Sequence, residues 1–184
     1  MEQMEQQEYD QQMLSNLRAQ ADERDFALLA NSSNDLFVMQ DGVDYTHSVG
    51  LFRHGLPEIL VHGSYPLDLC GELIKSLMVM WTTAEPKDRT FDGTDVVLEG
   101  FREGKRFVVR ARTAIMSEQN RLRYGKIIGE LYPEEEFRMV QLMMPDEAGL
   151  LPNDPNYIPE EFFPQAYLGA VENAPEMEDR KSVV

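Results

Sequence analysis

Cysteine is almost missing from this chain. Of its 184 residues only Cys70 is one, which excludes an intrachain disulfide and the clustered thiolates of a zinc ribbon. A reducing compartment, the cytoplasm, is the expectation that follows. Cys70 lies in a helical apolar pattern, where a lone thiol behaves as a small hydrophobe rather than a nucleophile. Long hydrophobic runs are missing too: Leu77-Met78-Val79-Met80-Trp81, the longest, is far short of the ~20 apolar residues that cross a bilayer. The first residues, Met1-Glu2-Gln3-Met4-Glu5-Gln6-Gln7, are acidic and amide-rich where a secretory leader needs a basic region and then an apolar one. Positive charge is scarce, with 17 Lys and Arg against 33 Asp and Glu and a formal net charge of −16. Such a chain repels phosphate backbones and anionic lipid, so neither direct nucleic-acid binding nor a membrane partner is expected, and a basic protein partner is favoured. Phosphate-binding glycine loops, the Rossmann fingerprint, the Gly-x-Ser-x-Gly elbow and the His-Glu-x-x-His helix are all absent. The usual local signals of nucleotide-dependent, nucleophilic and zincin-type enzymes go with them. No cofactor is implied.

What is present suits one domain with appendages. Residues 1–24 form an N-terminal helical extension on which Met13, Leu14, Leu17 and Ala21 give a short apolar stripe, a route to homo-oligomerisation. Residues 25–168 form a single α+β domain, and residues 169–184 an acidic tail that composition predicts to be disordered. Within the domain, Phe26–Ala30 and Leu36–Met39 read as one hairpin, and Tyr45–Phe52 with Glu58–His62 as a second. Ser64 and Pro66 suit the start of a helix carrying Cys70, Leu73, Ile74, Leu77, Met78 and Trp81 on one face, and Glu85-Pro86 ends it. Val96–Phe101 and Arg106–Thr113 read as a third strand pair, Ser117 caps a second helix that runs to Pro133, and Phe137–Met144 is the last strand. Hairpins dominate, so the expected architecture is an antiparallel sheet with two main helices packed on it, an N-terminal helix and an irregular, proline-studded C-terminal stretch. The aromatics of that stretch, Tyr157, Phe162, Phe163 and Tyr167, are expected to lie back on the domain. The methionines of the domain, among them Met39, Met78, Met139 and Met143, suit an irregular core or, less commonly, an adaptable partner surface.

Three stretches together carry a family pattern: Asp44-Tyr45-Thr46-His47-Ser48-Val49-Gly50-Leu51-Phe52, then Gly55-Leu56-Pro57-Glu58-Ile59-Leu60-Val61-His62-Gly63, and last Gln141-Leu142-Met143-Met144-Pro145-Asp146-Glu147-Ala148-Gly149-Leu150-Leu151-Pro152. In order and spacing they resemble the Y-T-x-G-L, h-P-E-L and Q-x-x-x-P-D-x-x-G-x-x-P blocks of domain-of-unknown-function family 4262, a bacterial and phage family. The resemblance spans about Phe26 to Tyr157. It implies a shared fold and extends the expectation to a phage or mobile-element protein, but it brings no activity with it. The chain departs from the pattern at His47-Ser48, where a single small or apolar residue is usual, and at Met144, where tryptophan is usual.

Candidate sites follow from the polar residues in these blocks. Tyr45, Thr46, Ser48, Glu58, Gln141 and Asp146 either share a ligand-binding cleft or satisfy local backbone groups. The three histidines, His47, His54 and His62, all fall in the second hairpin, where His47 or Ser48 can face His62 across the ladder and form a metal or general-base site with Glu58 or Asp146. Hydrogen-bonded or exposed histidines are the commoner outcome, and no metal site is assigned. Arg106, Arg110 and Arg112 share one strand face and either bind an anion or pair with the chain's own carboxylates, such as Glu134-Glu135-Glu136 and the tail. The leading expectation is a non-enzymatic binding or regulatory protein that engages a basic partner. The alternative is an enzyme or a small-molecule or metal binder with a cleft near Tyr45, His47, His62 and Asp146.

Overall fold

The structure, a computed structural model, describes residues 2–31, 45–63, 65–102, 105–133, 138–158 and 168–169. It begins with helix α1 (Glu2–Arg24) and strand β1 (Ala27–Asn31). Strands β2 (Tyr45–Val49) and β3 (Glu58–His62) follow, joined through a 3-10 turn at Leu51–His54. Helix α2 (Leu67–Thr83) leads to the pair β4 (Asp95–Arg102) and β5 (Lys105–Thr113). The short helices α3 (Glu118–Tyr124) and α4 (Lys126–Leu131) precede β6 (Met139–Met143). Among the described residues the strands make a six-stranded sheet in the order β1-β2-β3-β6-β5-β4. This is the α+β architecture that the hydrophobic periodicity implies, and every pairing is antiparallel except one. β3 and β6 run parallel at the centre, with Glu58 beside Met139 and Val61 beside Leu142.

Burial explains the strand sequences. Every residue of β2, β3 and β6 is buried, because helices cover both sheet faces there, so these strands do not alternate apolar with polar as a half-exposed sheet would. On one face, Leu73, Ile74, Leu77 and Trp81 of α2 pack on Ile59, Val61, Val109, Val140 and Leu142. Each fully buried side chain of this kind contributes roughly 1.5–3 kcal/mol. On the other face, Leu17 and Ala21 of α1 and Tyr124, Ile128 and Leu131 of α3 and α4 pack on Tyr45, Val49, Leu60 and Met139. Trp81 fixes the end of α2: its indole N–H donates to Thr94 Oγ1 at 3.1 Å and its ring meets Phe91 edge-on. The next residue but two, Ala84, is already extended, and Pro86 disfavours a helical residue before it.

Several details differ from the sequence expectation. Helix α2 starts at Leu67 after Pro66, and Ser64 lies outside the described residues, as do Leu36–Met39, Glu134–Glu136, Phe162, Phe163, Tyr167 and residues 170–184. The partner found for β1 is β2, with Ala27 opposite Val49 and Asn31 opposite Tyr45. The single helix expected from Ser117 to Pro133 is two. Ser117 Oγ does accept the Asn120 N–H, but Gly125 ends α3 and opens α4, glycine being a poor helix former. Among the described side chains of α1, Leu17 and Ala21 in its second half are buried, while Tyr9 is 66 % exposed. Its C-terminal end is held by Arg53, whose guanidinium bonds the Asp22 carboxylate and the Ala21 carbonyl. Gly50 permits this approach, since it has φ +109° and a side chain there would meet Ala21 Cβ at 3.0 Å.

Candidate functional site

Most polar residues of the three sequence blocks are interior. Thr46, His47, Ser48, Glu58, His62, Gln141 and Asp146 are each 3 % exposed or less, and Tyr45 is 8 % exposed. They form separate hydrogen-bonded groups rather than one cleft.

The first group lies on the face covered by α3. Antiparallel register sets Tyr45 opposite His62 and His47 opposite Leu60. This corrects the expectation that His47 or Ser48 faces His62, because the ladder begins at Tyr45 and strand geometry fixes every later partner. Gln141 Nε2 is 3.0 Å from His62 Nδ1, and His62 Nε2 is 2.9 Å from Tyr124 Oη. Tyr45 Oη donates to the Arg123 carbonyl at 3.0 Å, and its ring meets Tyr124 edge-on with centroids 4.9 Å apart. Gln141 Oε1 accepts the Leu168 N–H at 2.9 Å, and the Leu168 carbonyl accepts the Ile115 N–H at 2.8 Å. A backbone N–H can only donate, which places the Gln141 oxygen towards Leu168 and its NH2 towards His62. His62 Nδ1 is therefore an acceptor, and the neutral ring carries its proton on Nε2, donating to Tyr124.

The second group fixes the β2–β3 turn. The Glu58 carboxylate accepts from Ser48 Oγ on one oxygen and from the N–H groups of Gly50 (2.8 Å) and Phe52 (3.2 Å) on the other. Ser48 Oγ in turn accepts the Ile59 N–H at 2.8 Å. Burial raises the Glu58 pKa above the usual carboxylate range, with the bonds from Ser48, Phe52, Gly50 and Leu51 opposing the shift. His47 donates from Nδ1 to the Ser48 carbonyl at 2.8 Å. Desolvation lowers its pKa, and that bond opposes the shift. Thr46 opposes the effect of burial on Cys70, whose thiol is pushed up to about 11. His54 sits at the surface, 3.6 Å from Asp25, so the histidines do not converge. Among the described residues no three His, Cys, Asp or Glu side chains are grouped to hold a metal ion.

The third group shapes the loop after β6. Asp146 Oδ1 accepts the N–H groups of Ala148 (2.9 Å) and Leu150 (2.8 Å), and Oδ2 accepts that of Ile158 (3.0 Å). Desolvation acts to raise its pKa, but the backbone donors Ile158, Leu150, Ala148 and Gly149 outweigh it and the net shift is downward. Asp146 and Gln141 thereby hold Ile158 and Leu168, two points of the chain beyond the sheet. The spent oxygens of Asp146 and Glu58 suit backbone organisation better than proton transfer.

The arginines of β5 do share a face, opposite buried Phe107, Val109 and Ala111. Arg110 binds Asp95 through Nε (2.7 Å) and Nη2 (2.9 Å), Arg112 Nε lies 3.7 Å from Asp92, and Arg106 stands opposite Glu99 in the ladder. The described carboxylate partners are thus neighbours from β4 and the turn before it. An open groove of about 440 Å³ runs between this pair of strands and the loop of Asp146, lined by Arg110, Asp95, Val108, Leu150, Leu151 and Asp154 among others. The bidentate Arg110–Asp95 pair neutralises most of its charge. Tyr124, Leu168, Asp92 and Asp95 are the members of these groups that sequence reasoning missed. Tyr124 falls on the apolar face of its helix, and nothing in its spacing announces a histidine partner.

A sheet of hairpins joined by one parallel contact, with helices on both faces and an aspartate-centred loop, defines a small α+β domain. A family model described as "Domain of unknown function (DUF4262)" matches residues 35–158. The chain belongs to that family. No curated protein and no solved structure matches it.

Proposed function

We propose that this is a non-enzymatic binding protein of the cytoplasm that regulates, by contact, a protein partner with a basic surface. The observation that carries the reading is charge. With 33 acidic side chains and 17 Lys and Arg, pairing every cation inside the chain still leaves 33 − 17 = 16 carboxylates without one. Several cations are already engaged: Arg53 with Asp22, Arg110 with Asp95 and Arg112 with Asp92. Glu58 and Asp146 are buried, but the count leaves most of the surplus negative charge to steer a positively charged partner and speed its arrival at low salt. The interior groups add support, since the polar side chains nearest to a catalytic constellation hold one another or the backbone. Among the described residues no helix is long and apolar enough to cross a membrane.

The test is affinity capture from host lysate at low ionic strength, followed by association kinetics against the purified partner. A basic protein should be recovered, and its association rate should fall by roughly tenfold or more as salt shortens the Debye length from ~30 Å to ~3 Å. Recovery of no basic protein, or an association rate indifferent to salt, overturns the proposal.

A further inference from the structure

We infer that His62, Gln141 and Leu168 form an acid-sensitive clasp, in which a second proton on the imidazole turns the Gln141 amide and releases the chain at Leu168 from the sheet. Leu168 is held from both sides, its N–H by Gln141 Oε1 at 2.9 Å and its carbonyl by the Ile115 N–H at 2.8 Å. The first of these bonds depends on the amide orientation, and that orientation depends on His62 Nδ1 acting as an acceptor for Gln141 Nε2 at 3.0 Å.

An imidazolium has two donors and no acceptor. The added proton goes to Nδ1, because the neutral ring already carries one on Nε2 towards Tyr124. Nδ1–H then opposes the Gln141 NH2, donor against donor, in a site where His62 and Gln141 are fully buried. Turning the amide half a revolution lets Oε1 accept from Nδ1–H. It also brings the NH2 against the Leu168 N–H, and this second conflict is relieved only when Leu168 moves away. One proton at His62 is thus exchanged for one backbone bond at Leu168.

The surrounding groups set the context. Helix α3 brings Tyr124 and Arg123, whose guanidinium lies 5.7 Å from the Tyr124 ring centroid, a cation that adds to the burden of a second one. Strand β2 brings Tyr45 opposite the ring and His47 stacked beyond it, with centroids 6.1 Å apart. On β3 itself Glu58 is engaged by Ser48, Gly50 and Phe52. Strand β5 brings Arg112, opposite Gln141 in the ladder and 3.7 Å from Asp92, while Leu17, Ala21, Ile128 and Leu131, which α1 and α4 pack on this face, are apolar. His47 is the other buried imidazole on the face and needs its own control.

The experiment follows the amides of Leu168 and Ile115 by hydrogen exchange between about pH 7.5 and about pH 5.5, a range spanning the titration of a free imidazole. Exchange is expressed as protection relative to an unstructured amide, with Leu73 and Leu77 of α2 as internal references. Protection at Leu168 and Ile115 is expected to drop by roughly fivefold, the factor that one hydrogen bond supplies, while α2 stays protected. A His47→Gln variant should respond like the parent. In Gln141→Glu a carboxylate accepts from both Leu168 N–H and Nδ1–H, so the acid response should vanish. Should that variant fail to fold, the imidazole 15N shifts of the parent protein at neutral pH still decide, being expected to show Nε2 protonated and Nδ1 bare. Unchanged protection at Leu168, loss shared equally by α2, an undiminished response in folded Gln141→Glu, or a protonated Nδ1 at neutral pH each overturns the inference.

Discussion

Replacing Asp146 by Asn changes one oxygen to NH2 with little change of shape, and the geometry says what that costs. The carboxylate accepts three backbone N–H groups: Ala148 and Leu150 on Oδ1, Ile158 on Oδ2. Asparagine can keep its oxygen towards the first two, and its NH2 then faces the Ile158 N–H with no acceptor between them. Ile158 is 73 % exposed, so water can reach its freed N–H and losing that charge-assisted bond costs about 0.5–1 kcal/mol, while the two surviving bonds weaken by roughly 1 kcal/mol together as they lose their charge. Asp146→Asn should therefore lower stability by about 1.5–2 kcal/mol at neutral pH, a sizeable share of the ~5–15 kcal/mol that holds a domain folded. The dependence on pH carries the sign. The Asp146 pKa is lowered in the folded protein, so its contribution is complete above the unfolded value near ~3.9 and fades as pH falls through the folded one. Urea midpoints, with unchanged denaturant slopes, measure the gap between parent and variant. It should be full at pH 7 and shrink below about pH 4. A difference under about 0.5 kcal/mol at pH 7 would refute the reasoning, because surface substitutions alone fall in that range.

Glu58 should behave in the opposite sense. Burial raises its folded pKa, so its stabilising effect is present below the unfolded value near ~4.3 and lost as pH rises through the folded one; in pH-series denaturation, Glu58→Gln should gain on the parent as pH climbs. Trp81→Ala removes a ring packed on Phe91 and bonded to Thr94, and calorimetry should show a loss of about 3–5 kcal/mol. Cys70 is fully buried and its thiol is pushed up to about 11, so a thiol reagent at about pH 8 should react slowly with the folded protein and promptly in denaturant. Arg110→Ala breaks an exposed pair with Asp95 and should cost less than about 1 kcal/mol in the same melts.

Local periodicity made most elements legible. The strands on either side of the Gly50–Pro57 turn lie where the turn residues between them put them, and the face of Cys70, Leu73, Ile74, Leu77 and Trp81 lies where three-to-four spacing puts it. The parallel contact of Glu58 with Met139 and Val61 with Leu142 has no such signature, because parallel strands meet only after a long crossover whose return point the sequence does not mark. The polar residues of the three blocks were legible as a set. Their partners were not. His62 finds Tyr124 from a helix far along the chain, and Gln141 finds the backbone of Leu168, encounters that only tertiary packing creates. Arg110 and Arg112 meet Asp95 and Asp92 across a hairpin, the kind of cross-strand partner that register decides once strand boundaries are known.

The parallel seam between β3 and β6 also dictates an order of assembly. β2 with β3 and β4 with β5 are hairpins that can zip from their own turns, but neither joins the other until β6 enters between them and pairs with both. During synthesis the sheet is two halves with raw inner edges while the ribosome is still making the final strand. A chain released before Met139 should therefore be sticky and short-lived, and refolding of the intact protein should be paced by the docking of one five-residue strand.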